Sequence, residues 1–214
     1  MSLFVFALEI IGTIAFAVSG AMTGIKKNMD ILGVIILGMT TAIGGGVIRD
    51  LILGVRPPKT FLDPSYALIS IFSSIITFAV IYYGRERASK EESIFYERIL
   101  FIFDTIGLGI FTVVGMDVAF STINNCGIFI SVFVGVVTGV GGGILRDMMA
   151  GNTPYVFVKH VYASACIVGG IICAFTWHTA GKTFSMILGM ALVIIIRILA
   201  AYYKWNLPKI AKTE

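Results

Sequence analysis

Two heptapeptides concentrate the chemistry of this chain: Gly44-Gly45-Gly46-Val47-Ile48-Arg49-Asp50 and Gly141-Gly142-Gly143-Ile144-Leu145-Arg146-Asp147. Each lies near the end of a long apolar run. Glycine lowers helix propensity by about 1 kcal/mol per residue and leaves the backbone unshielded, so the sequence predicts helices broken at both triplets. Backbone freed from a helix at membrane depth must face protein or water, because lipid cannot satisfy it. Broken helices in matching positions of two halves point to an ion or substrate path, and freed carbonyls can replace the water around a small cation. Tight helix packing is the competing reading, with Gly38, Ala42 and Gly46 and their counterparts Gly135, Gly139 and Gly143 as small-residue stripes. Repetition of the motif beside a charged pair favours the path. Thr41 and Thr138 stand one turn before the glycines, placed to cap freed backbone or to touch an ion, with capping preferred.

Charge inside a spanning segment is costly and by default functional, with a buried structural ion pair as the alternative. Depth along the helices pairs Glu9 with Arg49 at one end and, in the second half, Asp104 with Arg146 at the other. Neighbouring helical residues point about 100° apart, so Asp50 and Asp147 are expected to turn away from their arginines and to pair elsewhere or line a water-filled vestibule. Arg197, near the end of the last apolar run, reads as a snorkelling side chain, and Asp117 as interfacial. His160 and His178 have no second ligand at metal spacing. No nucleophile triad, phosphate loop or dinucleotide fingerprint stands out, and no lysine lies inside the last apolar run for a retinal Schiff base. The sequence therefore predicts no enzyme, no metal site and no cofactor.

The surroundings of these residues are those of a membrane protein. Of 214 residues, 57% are hydrophobic and only 13% charged, and the mean hydropathy is +0.96, outside the range of soluble domains. The net charge of +4 comes from basic residues in short loops, which excludes nucleic-acid binding. Cys126, Cys166 and Cys173 have no redox or zinc spacing and read as ordinary thiols. The first apolar stretch lacks a basic leader, so it is read as a spanning helix instead of a cleaved signal.

Seven stretches approach the roughly 20 apolar residues that a spanning helix needs: 3–24, 31–53, 66–83, 99–122, 127–149, 158–177 and 184–203. Residues 44–46, 49, 50, 54 and 57 recur 97 positions later as 141–143, 146, 147, 151 and 154, while Glu9, Gly12 and Gly20 recur as Asp104, Gly107 and Gly115, 95 positions later. This is an internal repeat of three helices, and an odd number makes the second copy enter from the opposite face. The expected fold is an all-α membrane protein of two inverted three-helix repeats plus a seventh helix, with helices 2 and 5 broken at the glycines. Its parts are residues 1–83, a polar cytoplasmic linker 84–98, residues 99–180, and a seventh helix with tail, 181–214. Loop Lys and Arg residues concentrate on one side, placing the N-terminus outside and the C-terminus in the cytoplasm.

On the paired Gly-Gly-Gly-x-x-Arg-Asp motif, the two inverted three-helix repeats and the extra helix, the chain resembles the prokaryotic trimeric intracellular cation (TRIC) channels, also described by a glycine-transporter domain. The resemblance covers nearly the whole chain. It implies a homotrimer in the cell membrane with a monovalent-cation pore in each subunit, for potassium and with sodium as a second candidate, kinked at Gly44 to Gly46 and Gly141 to Gly143. Animal members carry a basic lipid-binding motif at the first break; here Ala42-Ile43 precede the glycines without a lysine. Membrane lipids are the remaining expected partner. The expected function is passive cation conduction, with secondary transport of a small zwitterion such as glycine as the alternative and a membrane scaffold as a third class that leaves the charged pairs unexplained.

Overall fold

The computed structural model describes residues 2–84, 92–158 and 161–205, all helix, turn or loop. Among the described residues the helices are α1 (Leu3–Lys26), α2 (Ile31–Ile52), α3 (Lys59–Leu62), α4 (Ser65–Gly84), α5 (Glu92–Thr122), α6 (Ile128–Met149), α7 (Tyr155–Val158), α8 (Ala163–Thr176) and α9 (Lys182–Tyr202). Six of them are long and apolar enough to cross a membrane; α8 is apolar but has only 14 residues, about 21 Å of helix. It occupies the place expected for residues 158–177, but α7 ends at Val158 and α8 begins only at Ala163. The expected linker 84–98 falls partly outside the described residues. Its end is already helical, since α5 starts at Glu92 instead of near 99.

The largest correction concerns the glycines. Both α2 and α6 run without interruption through their triplets. A break would leave several backbone groups unpaired in an apolar setting, each costing several kcal/mol, against about 3 kcal/mol of propensity for three glycines. The helix persists. What the glycines provide is close approach: a Cβ on Gly45 would collide with the Thr138 carbonyl oxygen, and one on Gly142 with the Thr41 carbonyl oxygen. The contact order is reversed along the two helices, so α2 and α6 cross antiparallel at their glycines.

The same pattern holds around them. Gly20 of α1 packs on Gly38 and Thr41 of α2, and Gly115 of α5 packs on Gly135 and Thr138 of α6. Thr41 and Thr138 donate their hydroxyls to the carbonyls one turn back, Leu37 at 2.6 Å and Val134 at 2.6 Å. Between α1 and α5 the rings of Phe16 and Phe111 meet at 5.2 Å, with Gly12 and Gly107 beneath them. The start of α1 shares a cavity with the end of α5, while Lys26 at the end of α1 pairs with Glu97 near the start of α5 at 2.8 Å. Those two helices are therefore antiparallel as well. The outer surface of α4 is apolar, with Leu68, Phe72, Ile76 and Val80 exposed, as a helix facing lipid or another apolar surface would be.

Candidate functional site

Each heptapeptide ends its helix in the same way. Gly54 and Gly151 take φ of +71° and +66°, and the amides of Val55 and Asn152 return to the carbonyls of Asp50 and Asp147, both at 2.8 Å. This is the Schellman closure, which needs a left-handed residue that glycine supplies without a steric cost. Beyond it the chain turns back, and the same aspartates receive it. Asp50 Oδ2 accepts from the Lys59 amide at 2.8 Å and Asp147 Oδ2 from the Tyr155 amide at 2.9 Å, so each carboxylate satisfies the first amide of the short helix that follows.

The other oxygen of each aspartate holds its own arginine. Arg49 Nε and Nη2 both lie 2.8 Å from Asp50 Oδ1, and Arg146 Nε lies 2.8 Å from Asp147 Oδ1. The expectation that adjacent residues diverge fails because arginine is long enough to fold back over its neighbour. The arginines pass over Gly46 and Gly143 at ordinary contact distance, 3.7 Å and 3.8 Å from where a Cβ would stand, and at Gly143 it is the Tyr162 hydroxyl, at 2.7 Å, that a Cβ would crowd. Asp50 and Asp147 are buried and line neither of the two cavities described below. Replacing a partner in a buried pair costs about 3–5 kcal/mol. Asp50→Ala and Asp147→Ala are therefore expected to lower the thermal unfolding midpoint of detergent-purified protein by several degrees, the second more than the first, and Asn at either position is expected to recover part of the loss by keeping the acceptor for the following amide.

Beyond this shared core the two ends differ. Asp104 does meet Arg146, Oδ1 to Nη1 at 2.8 Å with both side chains fully buried, as the sequence predicts. Ser19 of α1 accepts from the same Nη1 at 2.5 Å, and the Tyr162 hydroxyl donates to Asp104 Oδ1 at 3.2 Å. The Arg146 guanidinium also lies 5.3 Å from the centre of the Tyr155 ring. Arg197 is not a snorkelling residue: it is 6% exposed and its Nη2 reaches Asp104 Oδ2 at 3.1 Å, with Nε on Thr105 Oγ1 at 3.2 Å.

At the other end the predicted Glu9–Arg49 pair does not form. Glu9 accepts the Tyr66 hydroxyl instead, and Arg49 is committed to Asp50. Both face a cavity of about 650 Å³. Its lining includes Thr13, Ala42, Gly46, Lys59, Asp63, Phe111, Asp117 and Lys182. Lys182 pairs with Asp117 at 2.6 Å. Hydrogen bonds from Ser65 hold Asp63 below the usual carboxylate range, so it is charged at neutral pH. Of the predicted path residues only Gly46 lines this space; Gly44, Gly45, Gly141, Gly142 and Gly143 pack against protein. A second cavity of about 190 Å³ lies beside Arg197, Phe101 and Tyr155. The two ends are joined by α1, which carries Glu9 at one and Ser19 at the other, about 15 Å apart in depth, with Thr13 and Phe16 between. No metal-ligand cluster occurs among the described residues.

Tyr66 and Tyr162 escaped the sequence reading, though they stand 96 positions apart and each follows a matched proline, Pro57 or Pro154, by eight or nine residues. The hydroxyl-to-carboxylate contact is thus duplicated: Tyr66 with Glu9, Tyr162 with Asp104.

Six long apolar helices around a duplicated, buried arginine–carboxylate site define a multi-pass helical membrane protein whose polar groups are gathered inside the bundle. Comparison with known proteins gives the family. Residues 6–82 and 101–178 match the family described as Glycine transporter, and the chain belongs to it. It is 37% identical over 213 residues to the inner membrane protein YadS of Escherichia coli K12, covering 98% of each chain, and 34% identical over 201 residues to the membrane protein YvgT of Bacillus subtilis, covering 94% of each. Among solved structures it is similar to a prokaryotic TRIC channel crystallised in 0.5 M KCl, with TM-score 0.86 and 32% identity over 97% of this chain and 100% of that one. It is also similar to the TRIC trimeric intracellular cation channel orthologue from Rhodobacter sphaeroides, with TM-score 0.84 and 30% identity over 95% of this chain and all of that one.

Proposed function

We propose that this chain is a monovalent-cation channel, potassium being the main permeant ion, assembled as a homotrimer with a pore in each subunit. Its architecture is two inverted three-helix repeats plus a seventh helix, with the N-terminus outside and the C-terminus cytoplasmic. The antiparallel crossings of α1 with α5 and of α2 with α6 support the inversion, and the excess of loop Lys and Arg on one side supports the orientation. The observation that carries the function is the cavity over Glu9. It brings water-accessible carboxylates to the first buried arginine–aspartate pair, and it ends at Phe111, whose contact with Phe16 makes an apolar constriction of the kind that gates by dewetting. The ion path passes Thr13 and Gly46 within the cavity, crosses this constriction and follows α1 toward Ser19 and Asp104. The remaining triplet glycines, with Thr41 and Thr138, serve it by letting α2 and α6 come close enough to leave that path narrow.

The cavity has charges of both signs, Glu9 and Asp117 with Arg49 and Lys182, and this favours a second reading in which a small zwitterion such as glycine is carried. Potassium flux and glycine uptake measured in the same proteoliposomes decide between them. The channel reading expects flux that does not saturate at millimolar potassium and no glycine accumulation. Glu9→Gln, which keeps the Tyr66 contact and removes the charge, is expected to reduce potassium flux about tenfold, the effect of losing a carboxylate site worth about 1.4 kcal/mol to the ion. Unchanged flux in that variant would remove Glu9 from the path.

A further inference from the structure

Charge is counted differently at the two ends of the bundle. The Glu9 end has four carboxylates, Glu9, Asp50, Asp63 and Asp117, and three cations, Arg49, Lys59 and Lys182. The Asp104 end has two carboxylates, Asp104 and Asp147, and two guanidinium groups, Arg146 and Arg197. Three members of each set come from the repeat; Arg197 comes from α9, which the repeat does not contain. Where Asp104 meets Arg197, Glu9 meets the Tyr66 hydroxyl and the cavity. Carboxylates held away from bulk water need a compensating charge, and at the half-buried Glu9 end the described carboxylates exceed the described cations by one.

We propose that the Arg197 guanidinium is a tethered cation: it fills at Asp104 the position that a mobile cation takes at Glu9, and it competes there with the permeating ion. This rests on the channel reading above. The site around Arg197 is built to hold a cation on more than one face. Its carbon Cζ lies 4.4 Å from the centre of the Tyr162 ring and 5.1 Å from that of Phe101, so two aromatic faces and the Asp104 carboxylate enclose it. Thr105 accepts from Nε, and the cavity of about 190 Å³ that Arg197 lines together with Glu97, Phe101, Tyr155 and Ala201 gives the side chain room to withdraw. When Arg197 withdraws, Asp104 keeps Arg146 and Tyr162 and presents its Oδ2 to the path, as Glu9 does at the other end.

The test uses the full-length protein in detergent and in proteoliposomes. In Arg197→Ala, guanidinium chloride at about 10 mM should raise the thermal unfolding midpoint by about 3–5 °C over N-methylglucamine chloride at the same concentration, with no such shift in the parent. In proteoliposomes the variant should carry about tenfold more potassium flux than the parent, and guanidinium should reduce that flux. Arg197→Gln and Arg197→Lys form the second comparison: Gln should conduct several-fold more than Lys. The inference is overturned by a folded Arg197→Ala that guanidinium does not stabilise, by equal flux in the Gln and Lys variants, or by failure of every neutral variant to fold while Lys folds, which would make Arg197 a structural counter-charge. If no variant and no parent conducts, the channel reading fails on its own, and the guanidinium shift still decides whether Asp104 is a cation site.

Discussion

Arg146→Ala should leave little folded protein, whereas Arg49→Ala should leave a destabilised but recoverable one. The two arginines look equivalent in sequence and make the same bond to the aspartate that follows. Their surroundings set the difference. Arg146 is fully buried and donates to Asp147, Asp104 and Ser19. Without it Asp147 keeps only the Tyr155 amide, and Asp104 must be neutralised by Arg197 alone. Removing one partner of a buried pair costs about 3–5 kcal/mol, and here two carboxylates lose a partner at once, against a total stability of about 5–15 kcal/mol. Arg49 is 7% exposed beside a cavity large enough for water, with Lys59 on the same wall, so solvent screens much of what is lost. Monodisperse yield after detergent extraction, followed by thermal unfolding of whatever is recovered, checks the order. Equal stability of the two alanine variants would show that burial at the Asp104 end contributes nothing special.

The repeat is what made this site legible. Offsets of 95 and 97 identify Asp104 as the partner of Arg146 and mark the glycines, threonines and aspartates as structurally paired. The same logic misplaces Glu9, because equivalence by offset says nothing about how an arginine divides its donors: Arg146 bonds Asp147 through Nε and Asp104 and Ser19 through Nη1, whereas Arg49 places both Nε and Nη2 on Asp50 and leaves Glu9 to Tyr66. Arg197 was misread for a related reason: a basic residue near the end of an apolar helix normally snorkels, and only the packing of α9 against α5 shows that Asp104 stands opposite. The helix breaks were the largest error. Local propensity argues for them at about 1 kcal/mol per glycine, but it is outweighed by the cost of unpaired backbone once two helices cross at van der Waals contact. Nothing local to one heptapeptide reports that crossing; the neighbour that needs the missing side chain lies about a hundred residues away in the other copy.

Within the glycine triplets the three positions should now behave differently. Gly45 and Gly142 face a backbone carbonyl of the opposing helix, and a carbonyl in a continuous helix cannot move aside without pulling its own hydrogen bond. Alanine there is overpacked, a change that costs about 1–3 kcal/mol in ordinary cores and more against rigid backbone, while the gain in helix propensity returns about 1 kcal/mol. Gly45→Ala and Gly142→Ala should therefore lower the thermal midpoint, and Gly45→Ala with Gly142→Ala together should fail to give folded protein, since both press on the same crossing. Gly46 is the contrast. A Cβ there meets nothing nearer than 3.7 Å and projects beside the cavity over Arg49, so Gly46→Ala should fold at least as well as the parent and alter potassium flux by narrowing the path. If Gly45→Ala folds normally and changes only conduction, the crossing is looser than its geometry requires and the triplet belongs to the pore itself. If Gly46→Ala loses the fold instead, the cavity wall is a packing surface and the ion must pass elsewhere.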